Sequence, residues 1–249
     1  TGASSGIGAL YADRLARRGY DLIVVARNGE RLHALADCLQ VETGRCVTPL
    51  VADLARVEAL LRSDARISLL VNNAGVGAVH SILEADVDAM EAMIGLNITA
   101  LTRLSYAAAP GFVARGQGTL INIASIVAVA PEYLNGVYSA SKSYVLTFGH
   151  KLQQELAPRG VRVQTVLPGS TATCFWDVAG HAAQKQAPIT MRADHLVDAA
   201  LAGLDQGETV TIPSLHDAGA WLRWEADRRT LAGQMDHALP APRYGMATA

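Results

Sequence analysis

Tyr138 and Lys142 stand four residues apart in Val137-Tyr-Ser-Ala-Ser-Lys142, a spacing that places both side chains on one face of a helix. A phenol has a reference pKa of about 10 and is protonated at neutrality. A unit positive charge some 4 to 5 Å away, at an effective dielectric near 20, is worth roughly 3 to 4 kcal/mol. That is enough to draw the phenol towards a pKa of about 7 to 8, where proton transfer is efficient in both directions. Ser125 closes an apolar run upstream, and Asn97 stands in Gly95-Leu-Asn-Ile-Thr99. Asn97, Ser125, Tyr138 and Lys142 together read as a proton-transfer site.

The chain opens with Thr1-Gly-Ala-Ser-Ser-Gly-Ile-Gly8. Gly2, Gly6 and Gly8 allow positive φ and close backbone approach, and the helix after them offers free N–H groups and a positive dipole end to a diphosphate. Thr1, Gly2, Ser4, Ser5, Gly6, Ile7 and Gly8 are therefore candidate dinucleotide contacts. The spacing is Gly-x-x-x-Gly-x-Gly, a variant of the general Gly-x-Gly-x-x-Gly fingerprint. At the end of the next strand stands Val25-Ala-Arg-Asn28, where an acidic residue would bond the ribose hydroxyls of NAD. Ala26 is neutral and Arg27 can pair with a 2′-phosphate, so NADP(H) is the expected cofactor and NAD(H) the alternative. A dinucleotide grip beside a proton donor points to hydride transfer between a carbonyl and an alcohol.

These residues need a frame. Apolar runs without alternation recur at Leu22–Ala26, Val47–Val51, Ile67–Val71, Thr119–Ile123 and Val161–Leu167, as expected of strands buried on both faces. Helical spacing lies between them at Ile7, Leu10, Tyr11 and Leu15, at Leu32, Leu35 and Leu39, and from Val87 to about Ala109. Alternating strand and helix predict an α/β fold, a doubly wound Rossmann-type domain with a central parallel sheet flanked by helices. Gly19 and Gly44 are expected to end the first two helices, and Pro110-Gly111 and Pro168-Gly169 to break the pattern. One domain over 1–249 is expected, with a substrate lid at about 170–190 and a C-terminal helical segment at about 214–235. A strand leading into the first glycine turn is expected from residues preceding Thr1.

The 249 residues are half hydrophobic, and 21 basic against 23 acidic side chains give a net charge of −2. The charges are well mixed, which argues against nucleic acid or an acidic membrane surface as partner. No apolar run reaches the length of about 20 residues needed to span a membrane. Cys38, Cys46 and Cys174 are too few and scattered for a disulfide framework, which favours a reducing compartment and a cytoplasmic location. The histidines His33, His80, His150, His181, His195, His216 and His237 show no ligand spacing, so no metal is expected.

With Thr-Gly-x-x-x-Gly-x-Gly, Asn72-Asn-Ala-Gly75, Asn97, Ser125, Tyr138-x-x-x-Lys142 and Pro168-Gly169 in order, the chain resembles the short-chain dehydrogenases/reductases over roughly Thr1 to Thr173. The resemblance implies Asp53 and Leu54 toward the adenine and Asn73, Ala74 and Gly75 behind the adenosine ribose. It places Pro168, Gly169, Thr171 and Thr173 around the nicotinamide, and Lys142, beside Tyr138, on the nicotinamide ribose. It implies Tyr138 as acid and base, Ser125 on the substrate oxygen, and Asn97 as anchor of a water relay to Lys142. Ser141 and Tyr144 receive no role, and Tyr144 lies off the lysine's helix face.

Ser125, Val127, Tyr133, Tyr138, Phe175 and Trp176 are the candidate substrate pocket, with Ala128 and Leu134 beside them; they suit a small, hydrophobic carbonyl or alcohol. Trp221 and Trp224 in the C-terminal stretch are candidates to cover the sheet, close the pocket or meet another subunit. The long helices near Val87–Ala109 and Gly136–Ala157 resemble those that form subunit contacts in the family, so a homodimer or homotetramer is expected. The rival reading is a catalytically silent dinucleotide-binding sensor or scaffold. A dehydratase or epimerase on the same fold is a third.

Overall fold

Strands covered on both faces need no polar alternation, and the apolar runs fold as such strands in the computed structural model, which describes residues 1–51 and 54–245 and, of Leu54, only the backbone. The order is α1 (Gly6–Arg17), β1 (Leu22–Ala26), α2 (Gly29–Thr43), β2 (Val47–Val51), α3 (Leu54–Ser63) and β3 (Leu69–Asn72). Then come α4 (Val87–Ile94), α5 (Leu101–Arg115), β4 (Gly118–Ile123), α6 (Gly136–Leu156) and β5 (Val161–Val166). The last elements are β6 (Thr171–Ala172), α7 (Phe175–Val178), β7 (Met191–Arg192), α8 (Ala193–Asp205), β8 (Val210–Thr211) and α9 (Ala218–Gly233). The chain divides into two compact units, Thr1–Ser214 and Leu215–Ala249.

In the larger unit β3, β4, β5 and β8 lie side by side in that order, all parallel, with Gly118–Ile123 of β4 in register with Val161–Val166 of β5. β1 and β2 form a second parallel pair. Thr1–Ala3 runs between the two groups: the Thr1 hydroxyl donates to the Val71 carbonyl at 3.2 Å and the Ala3 N–H to the Val25 carbonyl at 3.1 Å. On one side of the sheet Tyr11 and Leu15 of α1 pack with Leu196, Val197 and Leu201 of α8. On the other, Leu104 and Phe112 of α5 and Leu152 and Leu156 of α6 pack on Leu70, Leu120 and Val163. The parallel strands all deliver their carboxyl ends, and the loops beyond them, to one crevice.

Two sequence expectations are corrected in detail, at Pro110 and in the long helix from Val87. Pro110 does not end a helix: α5 runs through it to Arg115 and stops at Gly116, whose φ is +65°. A proline there removes the hydrogen bond to the Tyr106 carbonyl, and Tyr106 is 65% exposed, so water can serve that carbonyl. The long helix from Val87 is interrupted by a π-helical turn at Gly95–Ala100, which carries Asn97. The stretch 170–190 is structured: β6 and β7 pair at its two ends, with α7 and a 3-10 turn at Ala182–Gln186 between them. Gly19, at φ +91°, follows the Arg18 C-cap of α1, and Gly44, at +67°, caps α2, both in the left-handed region expected where a helix ends.

The smaller unit is built on α9, whose first N–H groups are capped by Asp217. Within it Trp221 and Trp224 stack at 4.7 Å between centroids, and Glu225 pairs with Arg228 and Arg229.

Phe112 is 1% exposed, and a methyl group on Gly118 would overlap its ring, so helix and strand meet there without slack. Phe112→Ala is expected to cost about 3–5 kcal/mol, read as a lower urea midpoint with unchanged slope.

Candidate active site

The glycine turn is held by side chains of the loop after β3. Asn73 Nδ2 donates to the Thr1 carbonyl at 3.0 Å and the Gly2 carbonyl at 3.4 Å. In return the Thr1 hydroxyl accepts from the N–H groups of Asn73 and Ala74, each at 3.0 Å. Gly2 and Gly6 have φ of +68° and +55°, and a methyl on Gly8 would overlap the Gly2 carbonyl. The glycines are thus demanded by backbone angle at two positions and by close approach at the third. Ser5 precedes α1 without capping its N–H groups, and no acidic residue stands in the first turn. A diphosphate fits such a helix start.

Tyr138 lies in the first turn of α6. Asn135 caps that turn, its Oδ1 accepting from the N–H groups of Val137 at 2.9 Å and Tyr138 at 3.3 Å, while its Nδ2 donates to the His80 carbonyl at 2.6 Å. Lys142 lies one turn on, its Nζ donating to the Ile123 carbonyl at 2.9 Å and lying 5.7 Å from the centre of the Tyr138 ring. Ser125, extended two residues beyond β4, lies beside the Tyr138 phenol, and its Oγ donates to the Pro168 carbonyl at 3.4 Å. Tyr138, Lys142 and Ser125 are all buried.

Their electrostatics depart from the sequence expectation. Burial pushes the Tyr138 phenol up to about 12, against the smaller opposing pull of the Ser125 hydroxyl. Burial also brings Lys142 down to about 8. Removing each group from water penalises its charged form, and here that outweighs the attraction between phenolate and ammonium on which the lower expected value rested. At neutral pH the phenol keeps its proton.

Asn97 sits behind the cleft wall and not on it. Its Oδ1 accepts from the Val76 N–H at 3.0 Å, and its Nδ2 donates to the Val76 carbonyl at 2.9 Å and to Ser141 Oγ at 3.1 Å. In this geometry its side chain positions neighbours. A methyl on Gly75 would come within 3.1 Å of Asn97 Oδ1 and 3.5 Å of Lys142 Nζ, so a bare backbone makes room for both.

A single cleft of about 1480 Å³ joins the two regions. Thr1, Gly2, Ser4, Ser5, Gly6, Ile7, Arg27, Asn73, Ala74 and Gly75 line one part. Ser125, Val127, Tyr133, Tyr138, Lys142, Pro168, Gly169, Thr171, Thr173, Phe175 and Trp176 line the rest. Gly8 and Asn97 stand behind it. Asp53 falls outside the described residues, as does the side chain of Leu54. Among the described residues the lining cations are Arg27, Arg31 and Lys142.

Residues 1–183 match the family model for short chain dehydrogenase. The chain belongs to the short-chain dehydrogenase/reductase family. It is similar to a short-chain dehydrogenase from Sphingobium yanoikuyae solved in complex with NADPH, with 47% identity and a TM-score of 0.94 over 98% of this chain and 97% of that one. A bulky-bulky ketone specific alcohol dehydrogenase from Comamonas testosteroni is 40% identical, with a TM-score of 0.90 over 98% and 96% of the two chains. An uncharacterized oxidoreductase of Staphylococcus saprophyticus is 36% identical over 180 residues, 70% of this chain and 77% of its own.

For a short-chain dehydrogenase/reductase, three residues beyond the sequence reading stand out. Ser141, given no role there, is wholly buried, donating to the Tyr138 carbonyl at 2.7 Å while accepting from Asn97. Asn135 is legible as a cap, since Asn before Gly at a helix start is a common signal. Arg31 lies in the first turn of α2, four residues after Arg27, and lines the same end of the cleft.

The buried lysine makes stability pH-dependent. Between about 8 and its ordinary 10.5, Lys142 is protonated in the unfolded chain and neutral in the folded one. The unfolded state binds more protons there, so stability rises with pH. The melting temperature of the protein is expected to climb between about pH 8 and pH 10, and Lys142→Met, tracked by calorimetry over the same range, to lose that climb.

Proposed function

We propose that this protein is an NADP(H)-dependent carbonyl reductase acting on neutral, apolar ketones and the matching secondary alcohols. The observation that carries the reading is the burial of Tyr138, Ser125 and Lys142 together on the wall of a cleft that begins at the glycine turn. The bound cofactor would supply or take the hydride. Gly2, Ser5, Gly6 and the start of α1 would hold its diphosphate, and Arg27 with Arg31 its 2′-phosphate. Neither guanidinium has an ion pair among the described residues, which leaves both available for a phosphate. The Sphingobium relative was solved with NADPH, in agreement with this assignment.

Tyr138 donates its proton to the carbonyl oxygen as that oxygen gains negative charge, and Ser125 Oγ donates a hydrogen bond to the same oxygen. An alkoxide is a far stronger base than a phenolate, so a phenol held at about 12 still gives up its proton downhill. The structure suits reduction for that reason. In the alcohol-oxidising direction the phenol must first lose its proton, which burial resists and the charge of Lys142 assists.

The substrate half of the cleft is lined by Val76, Val79, Val127, Tyr133, Leu134 and Phe175, and its lining carries no arginine, and no lysine besides Lys142, among the described residues. Among the described residues, the one cation there for an anionic substrate is Lys142, whose ammonium already donates to the Ile123 carbonyl. The specificity of the Comamonas relative for bulky-bulky ketones agrees with an apolar pocket.

The protein would work as a homodimer or homotetramer through α5 and α6. Tyr106 on α5 is exposed and stacks on Phe148 of α6, which stacks in turn on Tyr144. That aromatic row suits burial against a second copy.

Tyr138→Phe is expected to bind NADPH with unchanged affinity, measured by fluorescence, and to reduce ketones at less than about one-thousandth of the parent rate. Substantial residual turnover would remove Tyr138 from the reaction. Arg27→Ala should lower kcat/KM for NADPH about tenfold or more and leave that for NADH nearly unchanged. A parent enzyme equally efficient with both cofactors would contradict the phosphate assignment.

A further inference from the structure

The loop after β3 contains a glycine that its backbone does not call for. Gly77 is not among the positive-φ residues, so an L-residue could adopt its conformation. What excludes a side chain is the lid: a methyl group on Gly77 would overlap Cζ of Phe175 and reach 2.5 Å from its Cε2. The tip of the Phe175 ring rests on bare backbone. The ring also lies 5.6 Å from the Tyr138 ring, tilted by 47°, and packs against the cluster of Ala78, Met93, Val127 and Tyr138.

The lid holds the ring from behind. Trp176 meets it edge-on at 5.2 Å, and the Trp176 indole N–H donates to the Thr171 carbonyl at 2.9 Å. The segment is closed at its base by the short β6–β7 pair, a two-stranded sheet of its own, with the Ser170 and Thr190 hydroxyls hydrogen-bonded at 2.8 Å. Asp177 and Lys185, both within the lid, form an ion pair between side chains 47% and 33% exposed. Exposed pairs of this kind contribute little. With the buried Trp176 beside it, the ring in its slot is an apolar anchor of the lid.

We propose that Phe175 is a size gate for the substrate and that Gly77 is the slot that seats it. The proposal rests on the carbonyl-reductase reading above and adds a selectivity device to it. With the ring seated, the space beside Tyr138 accepts a carbonyl with small substituents. A larger ketone enters when the ring swings out, and the space vacated is itself a flat, apolar slab. A planar aryl group fits it, so aryl ketones are the class that the open gate admits. Gly77 acts through Phe175 and is a positioning residue; Phe175 is the residue that touches substrate.

The test is a double-mutant cycle read as selectivity. With NADPH, kcat/KM is measured for acetophenone and for butan-2-one in the parent enzyme, Phe175→Ala, Gly77→Ala and the double variant. Removing the ring or blocking its slot should each raise the acetophenone-to-butan-2-one ratio about tenfold or more, the scale on which apolar pocket volume discriminates. The double variant should match Phe175→Ala, because the slot has nothing left to seat. Should Phe175→Ala not fold, Phe175→Leu should give a smaller rise of the same sign.

An active Phe175→Ala enzyme whose ratio changes by less than about threefold overturns the gate. So does a Gly77→Ala effect that persists in full without the ring. A parent enzyme that binds NADPH but consumes none with either ketone overturns the underlying carbonyl-reductase reading, and the gate with it.

Discussion

A lysine and a tyrosine withdrawn from water together set the terms for the rest of this structure. Burial favours the neutral form of each, so phenol and ammonium are the states found at neutral pH, with the lysine only about one unit from losing its charge. An ammonium can stay in such a place only where carbonyls and room are supplied. Ile123 supplies the carbonyl, from the last residue of β4. Gly75 leaves room beside it, since a side chain there would crowd Asn97 and come into contact with the lysine nitrogen. The strand end and the glycine are thus consequences of where the charge must sit.

The same constraint gives a reason for the π-helical turn. An extra residue in a helix rotates the turns beyond it and points inward a side chain that would otherwise lie elsewhere. Here it brings Asn97 to where one amide serves both polar groups of Val76 and the Ser141 hydroxyl. Ser141 passes the link to the Tyr138 carbonyl, one turn before Lys142. The loop after β3, the interrupted helix and α6 are tied at this point by hydrogen bonds in a buried environment. Each broken bond there would leave a polar group unsatisfied, which makes the arrangement stiff.

Much of this was legible in the residues. Strands buried on both faces announce themselves as unalternating runs, and β1, β2, β4 and β5 fall within a residue or so of where those runs lie. The glycine turn, Tyr138, Lys142 and Ser125 were legible because their chemistry depends on residue type at fixed local spacing. The illegible features depend on contacts distant in sequence. Much of the burial that raises Tyr138 comes from residues far from it in sequence, among them Ala78, Met93 and Phe175. Pro110 reads as a helix breaker until the exposure of the Tyr106 carbonyl's residue is known. Ser141 looks like filler between the tyrosine and the lysine until Asn97, 44 residues away, is seen against it. Gly77 gives no sign at all, because its reason is an aromatic ring nearly a hundred residues further on.

The cleft is polarised along its length, and that polarity bears on how binding and chemistry are divided. One end offers free N–H groups, Arg27 and Arg31; the other offers apolar walls and one buried ammonium that is already hydrogen-bonded. A highly charged ligand is drawn to the first end and finds little to hold it at the second. An apolar ketone gains from the second by leaving water, and has nothing to gain from the first. The two ligands therefore need not compete, although they share one cavity. Apolar walls also keep water from the phenol. In the proposed reaction, selectivity for the ketone and readiness of the acid would both arise from the same low-polarity lining.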